Sequence, residues 1–233
     1  MGQLYAITPF TQLDYPGELA CIAWFSGCNL RCAYCHNPDI VLTHGDKSDE
    51  ELLAFLDKRR GLLTGLVLSG GEATCCPAVP AIAQQAKEMG YKIKLDTNGT
   101  RPEIVRTMLE SNLLDYVALD YKCPATQAQA LLGTDKFVAA FRETLALLIA
   151  YAKGNDLTFE TRTTFHPDLM DENDLNAILD DLERSDYHGT HYIQNVASWG
   201  ESTLGNVRKP QRDIDREKLT APRNFSLSFR KAS

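Results

Sequence analysis

No stretch of this chain approaches the ~20 consecutive apolar residues that cross a bilayer, so no membrane role is expected. Positive charge is not in excess either. The chain has 24 Lys and Arg against 31 Asp and Glu, a net of −7, which argues against general nucleic-acid binding. The opening residues, Met1-Gly2-Gln3-Leu4-Tyr5, lack a basic segment followed by an apolar one. No secretory leader is therefore expected, and the expected compartment is the cytoplasm. Cysteines there serve more often as metal ligands or free thiols than as disulfides. The G-x-x-x-x-G-K-[ST] phosphate loop is missing. The acidic run Asp171-Glu172-Asn173-Asp174 lacks the glycine and closing glutamate of an EF-hand loop, and reads as a helix start complementing the helix dipole. With 44% apolar and 24% charged residues, 233 residues suit one globular domain with a sizeable core.

The chain does have seven cysteines, three of them within eight residues. Cys28, Cys32 and Cys35 are spaced C-x3-C-x2-C in a polar loop with Asn29, Arg31 and Asn37. Four chemistries compete for them. Structural zinc takes four ligands, commonly from separated pairs, and His36 as the fourth is awkward beside Cys35. Cys32-Ala33-Tyr34-Cys35-His36 fits the C-x-x-C-H haem pattern, but that chemistry suits exported proteins and leaves Cys28 idle. A thioredoxin-like pair needs no third cysteine. An iron–sulfur cubane takes four cysteines when fully ligated, so three leave one iron open to bind a substrate or cofactor. The spacing favours the cluster.

Strand patterns fall at 20–25, 65–69, 92–96, 116–120, 158–164 and 191–196, with helical patterns between them. Ser48 and Glu51 form a capping-box pattern, Gly90 a helix stop, and Gly133 an interruption in helical sequence from 125 to 153. Alternating strand and helix predicts parallel strands with right-handed crossovers, and six units are too few for a closed eightfold barrel. Residues 1–19 and those after 196 read as irregular. The chain thus divides into a body, 1–196, and a C-terminal extension, 197–233. Residues 201–233 hold eight Lys and Arg against four Asp and Glu, so this tail carries +4 and the first 200 residues −11. A solvated end and docking onto an acidic partner both remain open for it.

In parallel α/β folds, sites form at the carboxyl ends of strands. The cysteine loop, Gly70-Gly71-Glu72, Asp96-Thr97-Asn98 and Asp120-Lys122 all follow strands. Two glycines permit close approach of backbone to a ligand. Glu72 among backbone amides suits a ligand carrying an ammonium beside a carboxylate. Asp96 could instead make a local Asx turn and Asp120 a salt bridge. The alternation of Phe159, Thr161 and Thr163 with Glu160 and Arg162 leaves open which set faces a ligand. His191 and Gln194 are further candidates. Cys21 and Cys123 read as packing, and the Cys75-Cys76 pair has no clear chemistry.

Cys28, Cys32, Tyr34 and Cys35 match the C-x3-C-x-aromatic-C signature, which resembles the radical S-adenosylmethionine superfamily. Asp14-Tyr15-Pro16-Gly17 through Cys35-His36-Asn37-Pro38 is similar more narrowly to the glycyl-radical-enzyme activases, most of all those of anaerobic ribonucleoside-triphosphate reductase. The resemblance covers residues 1 to about 195. It implies an α/β fold, a partial (β/α)6 barrel of parallel strands in a single domain, here with an irregular basic C-terminal tail. It also implies a radical oxidoreductase with a [4Fe–4S] cluster on Cys28, Cys32 and Cys35, together with S-adenosylmethionine. Glu72 after Gly70 and Gly71 would hold the methionyl amine, and Tyr34 would lie near the adenine. Asp96 and Asp120 would help form a monovalent-cation site, and Lys122, with Asn98 and Arg162, would contact the cofactor. One-electron cleavage would give a 5′-deoxyadenosyl radical that abstracts hydrogen from a glycine of the partner reductase. The expected electron donor is a flavodoxin or ferredoxin. The short chain leaves the strand ends open, which favours a macromolecular target. Rival readings are an activase of another glycyl radical enzyme such as pyruvate formate-lyase, a small-molecule radical enzyme of the deazapurine synthase type, and a zinc-binding interaction module.

Overall fold

A computed structural model describes residues 4–230; residues 1–3, part of the leader reading, and 231–233, the end of the tail, lie outside the described residues. Eight strands form one sheet in chain order: β1 (Leu4–Thr11), β2 (Ala20–Phe25), β3 (Gly65–Gly70), β4 (Lys92–Thr97), β5 (Tyr116–Asp120), β6 (Thr158–Phe165), β7 (Thr190–Asn195) and β8 (Ser226–Arg230). β1 pairs antiparallel with β2, and each later neighbour is parallel. The helices are α1 (Pro38–Leu42), α2 (Asp49–Arg59), α3 (Val79–Glu88), α4 (Pro102–Glu110), α5 (Ala128–Leu132), α6 (Phe137–Ala152) and α7 (Glu172–Arg184). The six parallel strands expected from the sequence are β2 to β7, and the sheet is a partial barrel rather than a closed one.

Local signals set most of these elements. Ser48 caps α2 with both bonds of the capping box, and Asp171 caps α7 the same way with Asp174. Gly133 ends α5 in the left-handed conformation at φ +75°.

Two segments read as irregular are strands. β1 lacks clean alternation because an edge strand needs only its backbone to pair, and it is held further by the Trp24 indole donating to Thr8 Oγ1 at 2.8 Å. β8 lies beyond a long stretch with only two short 3-10 turns, Gly200–Ser202 and Arg216–Lys218, and it adds to β7 in parallel register.

Period-two alternation gives each parallel strand two faces. Ala23 and Phe25, Leu66 and Leu68, Ile93 and Leu95, and Val117 and Leu119 join the core that includes helix residues Val79, Ile82, Val105 and Met108. The opposite faces line the barrel lumen. Tyr15, Ile22, Val67, Trp24 and Tyr116 pack together there, with Tyr15 and Tyr116 ring centroids 5.8 Å apart. The ambiguous strand β6 is thereby resolved. Thr161 and Thr163 face the helices and bond to His191 Nδ1 at 2.8 Å and to the Tyr121 carbonyl at 2.7 Å. Glu160 and Arg162 face the lumen.

The basic tail docks on the chain's own acidic body. Arg212 forks onto Glu172 of α7 at 2.5 and 2.9 Å, and Arg230 of β8 onto Glu160 at 2.9 and 2.8 Å. The Asp215 amide donates to Glu172 at 2.8 Å, and Arg223 lies 3.8 Å from Glu183. Three tail arginines, Arg212, Arg223 and Arg230, are therefore answered by carboxylates of the same chain.

Hydrogen bonds from Arg212 hold the Glu172 carboxyl down at about 2, against an ordinary 4.5. Its contribution is fully present above the unfolded value and lost as pH falls from 4.5 towards 2. Arg212 is partly exposed, so we expect Glu172→Ala to cost about 2 kcal/mol at neutral pH. That corresponds to a Tm loss of roughly 4–8 °C. Native-state hydrogen exchange should rise first in residues 209–219, and unchanged protection there would show that Glu172 does not anchor the tail.

Candidate active site

The cysteine loop leaves β2 and is held from both sides by main-chain bonds. On one side the amides of Arg31 and Ala33 donate to the carbonyls of Leu132 and Leu131, at the end of α5, at 3.0 and 3.1 Å. On the other, the carbonyls of Ala33 and Cys35 accept from the amides of Gly205 and Leu204 in the tail at 2.8 and 3.0 Å. A Cβ on Gly205 would stand 2.8 Å from that of Ala33, so glycine is what lets the tail lie flat on the loop. The Tyr34 hydroxyl donates to the Lys122 carbonyl at 2.9 Å and ties the loop to the end of β5.

Gly70 and Gly71 line the cavity and also answer a constraint within the chain. Their backbone approaches the cysteine loop itself. A Cβ on Gly70, at φ +130°, would lie 2.2 Å from the Phe25 oxygen, and one on Gly71 2.1 Å from the Gly27 oxygen. That approach allows the Gly71 and Glu72 amides to donate to Phe25 and Gly27 at 2.9 Å each.

Glu72 is buried and its carboxylate turns inward. Oε1 accepts from the Thr74 amide at 3.1 Å, the Thr74 hydroxyl at 2.5 Å and the Thr97 hydroxyl at 2.8 Å, while Oε2 accepts the Asn98 amide at 2.7 Å. Burial raises its pKa, and these bonds favour the charged form. Asn98 returns to the loop, its Nδ2 donating to Asn29 Oδ1 at 3.1 Å and reaching Cys28 Sγ at 3.9 Å.

A cavity of about 720 Å³ lies over these loops, and Cys28, Cys32, Cys35, His36, Glu72 and Asn98 all line it. The size is ordinary for a small-molecule site. All seven cysteines are free thiols. Burial pushes the Cys28 thiol up to about 12 and Cys32 to about 11, so a bound metal must displace their protons. Among the described residues, no three Cys, His, Asp or Glu side chains converge as one metal ion would require. A cubane asks for something else, since each thiolate meets a different iron. The donor set, three soft thiolates lining one cavity, fits a cluster with one open corner.

The same cavity has a charged wall. Arg162 Nε lies 2.8 Å from Asp120 Oδ1, and Lys122 Nζ 2.9 Å from Asp120 Oδ2. Lys94 pairs with Asp96, whose Oδ2 lies 3.7 Å from Arg162 and accepts from the Ser69 hydroxyl at 3.2 Å. Burial opposes ionisation of both acids, yet Lys94 and Arg162 hold Asp96, and Arg162 and Lys122 hold Asp120, below the usual carboxylate range. The expected residues Tyr34, Gly70, Gly71, Glu72, Asp96, Asn98, Asp120, Lys122 and Arg162 thus meet at one cavity. Gln194 joins them, whereas His191 faces the other way, against Phe225.

The sequence did not single out Lys94 and Arg230 and left Glu160 open with the two faces of β6, and all three line the cavity. Lys94 and Glu160 stand two residues before Asp96 and Arg162, so strand alternation carried their signal. Arg230 had none, because its strand was unrecognised.

Glu72→Ala leaves three neighbours' buried donors without their acceptor. We expect the cofactor-free protein to lose about 2–4 kcal/mol in urea unfolding. A residue serving only as a ligand contact would leave that stability unchanged.

Comparison with known proteins agrees with this geometry. The model of the Radical SAM superfamily matches residues 22–182. A Methanocaldococcus jannaschii protein named "Putative glycyl-radical enzyme activating enzyme MJ1227" is 32% identical over 197 residues, 84% of this chain and 81% of its own. The Clostridium pasteurianum pyruvate formate-lyase-activating enzyme is 33% identical over 156 residues, 60% of this chain and 63% of its own. Streptococcus suis SuiB bound to S-adenosylmethionine shares the fold at TM-score 0.63 and 12% identity, over 91% of this chain and 52% of that one. With the matched segment holding the cysteine loop and the charged wall, the chain belongs to the radical SAM superfamily, enzymes that work with a [4Fe–4S] cluster and S-adenosylmethionine.

Proposed function

We propose that this enzyme installs a glycyl radical on a partner protein, an anaerobic ribonucleoside-triphosphate reductase. The observation that carries this reading is the similarity to an activating enzyme over 84% of the chain. The Asp14-Tyr15-Pro16-Gly17 and Cys35-His36-Asn37-Pro38 segments support the choice of reductase. A flavodoxin or ferredoxin would donate the electron.

In this reading Cys28, Cys32 and Cys35 hold the cluster. Lys122 and Arg162 orient the methionyl carboxylate from the charged wall, and Tyr34 borders the adenine. The role proposed for Glu72 toward the methionyl ammonium falls to the acceptor capacity left on Oε2, which takes one bond in the structure. When bound, the cluster and S-adenosylmethionine supply reductive cleavage of the sulfonium C–S bond and a carbon radical that abstracts hydrogen. The chain positions the reactants and shields them from water, and no side chain needs to move a proton.

Each of Cys28→Ala, Cys32→Ala and Cys35→Ala should lose the iron-dependent absorbance and all cleavage activity, whereas the Cys75→Ala, Cys76→Ala double variant should keep both. The functional test is anaerobic. Reduced protein, S-adenosylmethionine and the reductase are mixed and read by electron paramagnetic resonance for a glycine-centred doublet. A doublet only on another glycyl radical enzyme would replace the partner. Cleavage coupled to a small molecule, with no protein radical, would end the activase reading.

A further inference from the structure

Asp96 and Asp120 stand side by side in the lumen, where the family resemblance implies a monovalent cation. The chain already supplies the cations there. Lys94 Nζ pairs with Asp96 Oδ1, and Arg162 bridges both acids, 2.8 Å from Asp120 Oδ1 and 3.7 Å from Asp96 Oδ2. Lys122 occupies Asp120 Oδ2 at 2.9 Å, and the Ser69 hydroxyl donates to Asp96 Oδ2 at 3.2 Å. Every carboxylate oxygen is engaged, and three basic groups face two acids. A metal ion would enter a site with excess positive charge, beside an ammonium already paired with Asp96.

Lys94 is the decisive member. Its side chain is 3% exposed, on the lumen face of β4, with the Tyr116 ring centroid 5.7 Å from Nζ. An ammonium buried this deeply is costly unless paired. Among the described residues its ion pair is with Asp96. An ammonium and a potassium ion carry the same charge, and a lysine delivers that charge without a binding equilibrium.

We propose that Lys94 is the built-in counter-cation of Asp96, standing in place of a monovalent metal ion, so that S-adenosylmethionine binds independently of Na+ and K+. The inference rests on cofactor binding alone and not on the identity of the partner protein.

The test is equilibrium binding of S-adenosylmethionine to the anaerobic, cluster-loaded protein. Sodium or potassium chloride is exchanged for tetramethylammonium chloride at constant ionic strength. The wild-type Kd should change less than about twofold, a small fraction of the effect of losing one partner of a buried pair. Lys94→Ala should bind at least about tenfold more weakly in tetramethylammonium and recover to within about threefold when K+ or NH4+ is supplied. Lys94→Arg should stay independent of the salt. Rescue by a small cation separates a charge role from a packing role. Wild-type binding that needs Na+ or K+ overturns the proposal, and this arm requires no variant. A Lys94→Ala defect that no cation relieves, or no defect at all, also overturns it. Failure of the wild type to bind S-adenosylmethionine in any salt would strike the cofactor assignment itself.

Discussion

The site depends on one close approach, the backbone of Gly70 and Gly71 against that of Phe25 and Gly27. No side chain fits there, since added Cβ atoms would lie 2.2 and 2.1 Å from carbonyl oxygens. The approach brings the loop after β3 onto the cysteine loop after β2 and places Glu72 beneath both. Glu72 then clamps Thr97 and Asn98 after β4, and Asn98 bonds back to Asn29 between the cysteines. Three strand ends are closed into one ring by the chain's own hydrogen bonds. Preorganisation of this kind lowers the ordering cost of binding.

Two further supports complete the cavity. The charged wall is built from alternate residues of β4, β5 and β6, so one strand periodicity sends their ionic side chains to the lumen. The tail adds the remaining contacts. Its amides at Leu204 and Gly205 fasten the cysteine loop, and Arg230 brings a charge to the lumen from the last described strand. A segment that looks like an appendage in composition is structurally part of the site.

Much of this was legible in the sequence where the signal is local. The spacing of Cys28, Cys32 and Cys35, the capping box at Ser48 and the alternation of strand and helix each rest on a few neighbouring residues. The direction of Glu72 was not legible, because a Gly-Gly-Glu turn does not reveal which backbone the glycines approach. The lumen side of β6 was ambiguous because Thr161 and Thr163 are polar yet buried, their hydroxyls satisfied by His191 and the Tyr121 carbonyl. β8 was missed because its pairing partner lies far back in the chain, Thr190 opposite Ser226. The basic tail left a solvated end and docking onto an acidic partner both open, because net charge does not say whether the complementary charge lies in the same chain.

Mössbauer spectroscopy of the 57Fe-loaded protein, with and without S-adenosylmethionine, tests most directly whether three thiolates hold a cubane with one open iron. The prediction is a [4Fe–4S] cluster in which one iron differs from the other three and shifts when S-adenosylmethionine is added. A mononuclear metal, or a cluster whose irons are all insensitive to S-adenosylmethionine, would contradict it.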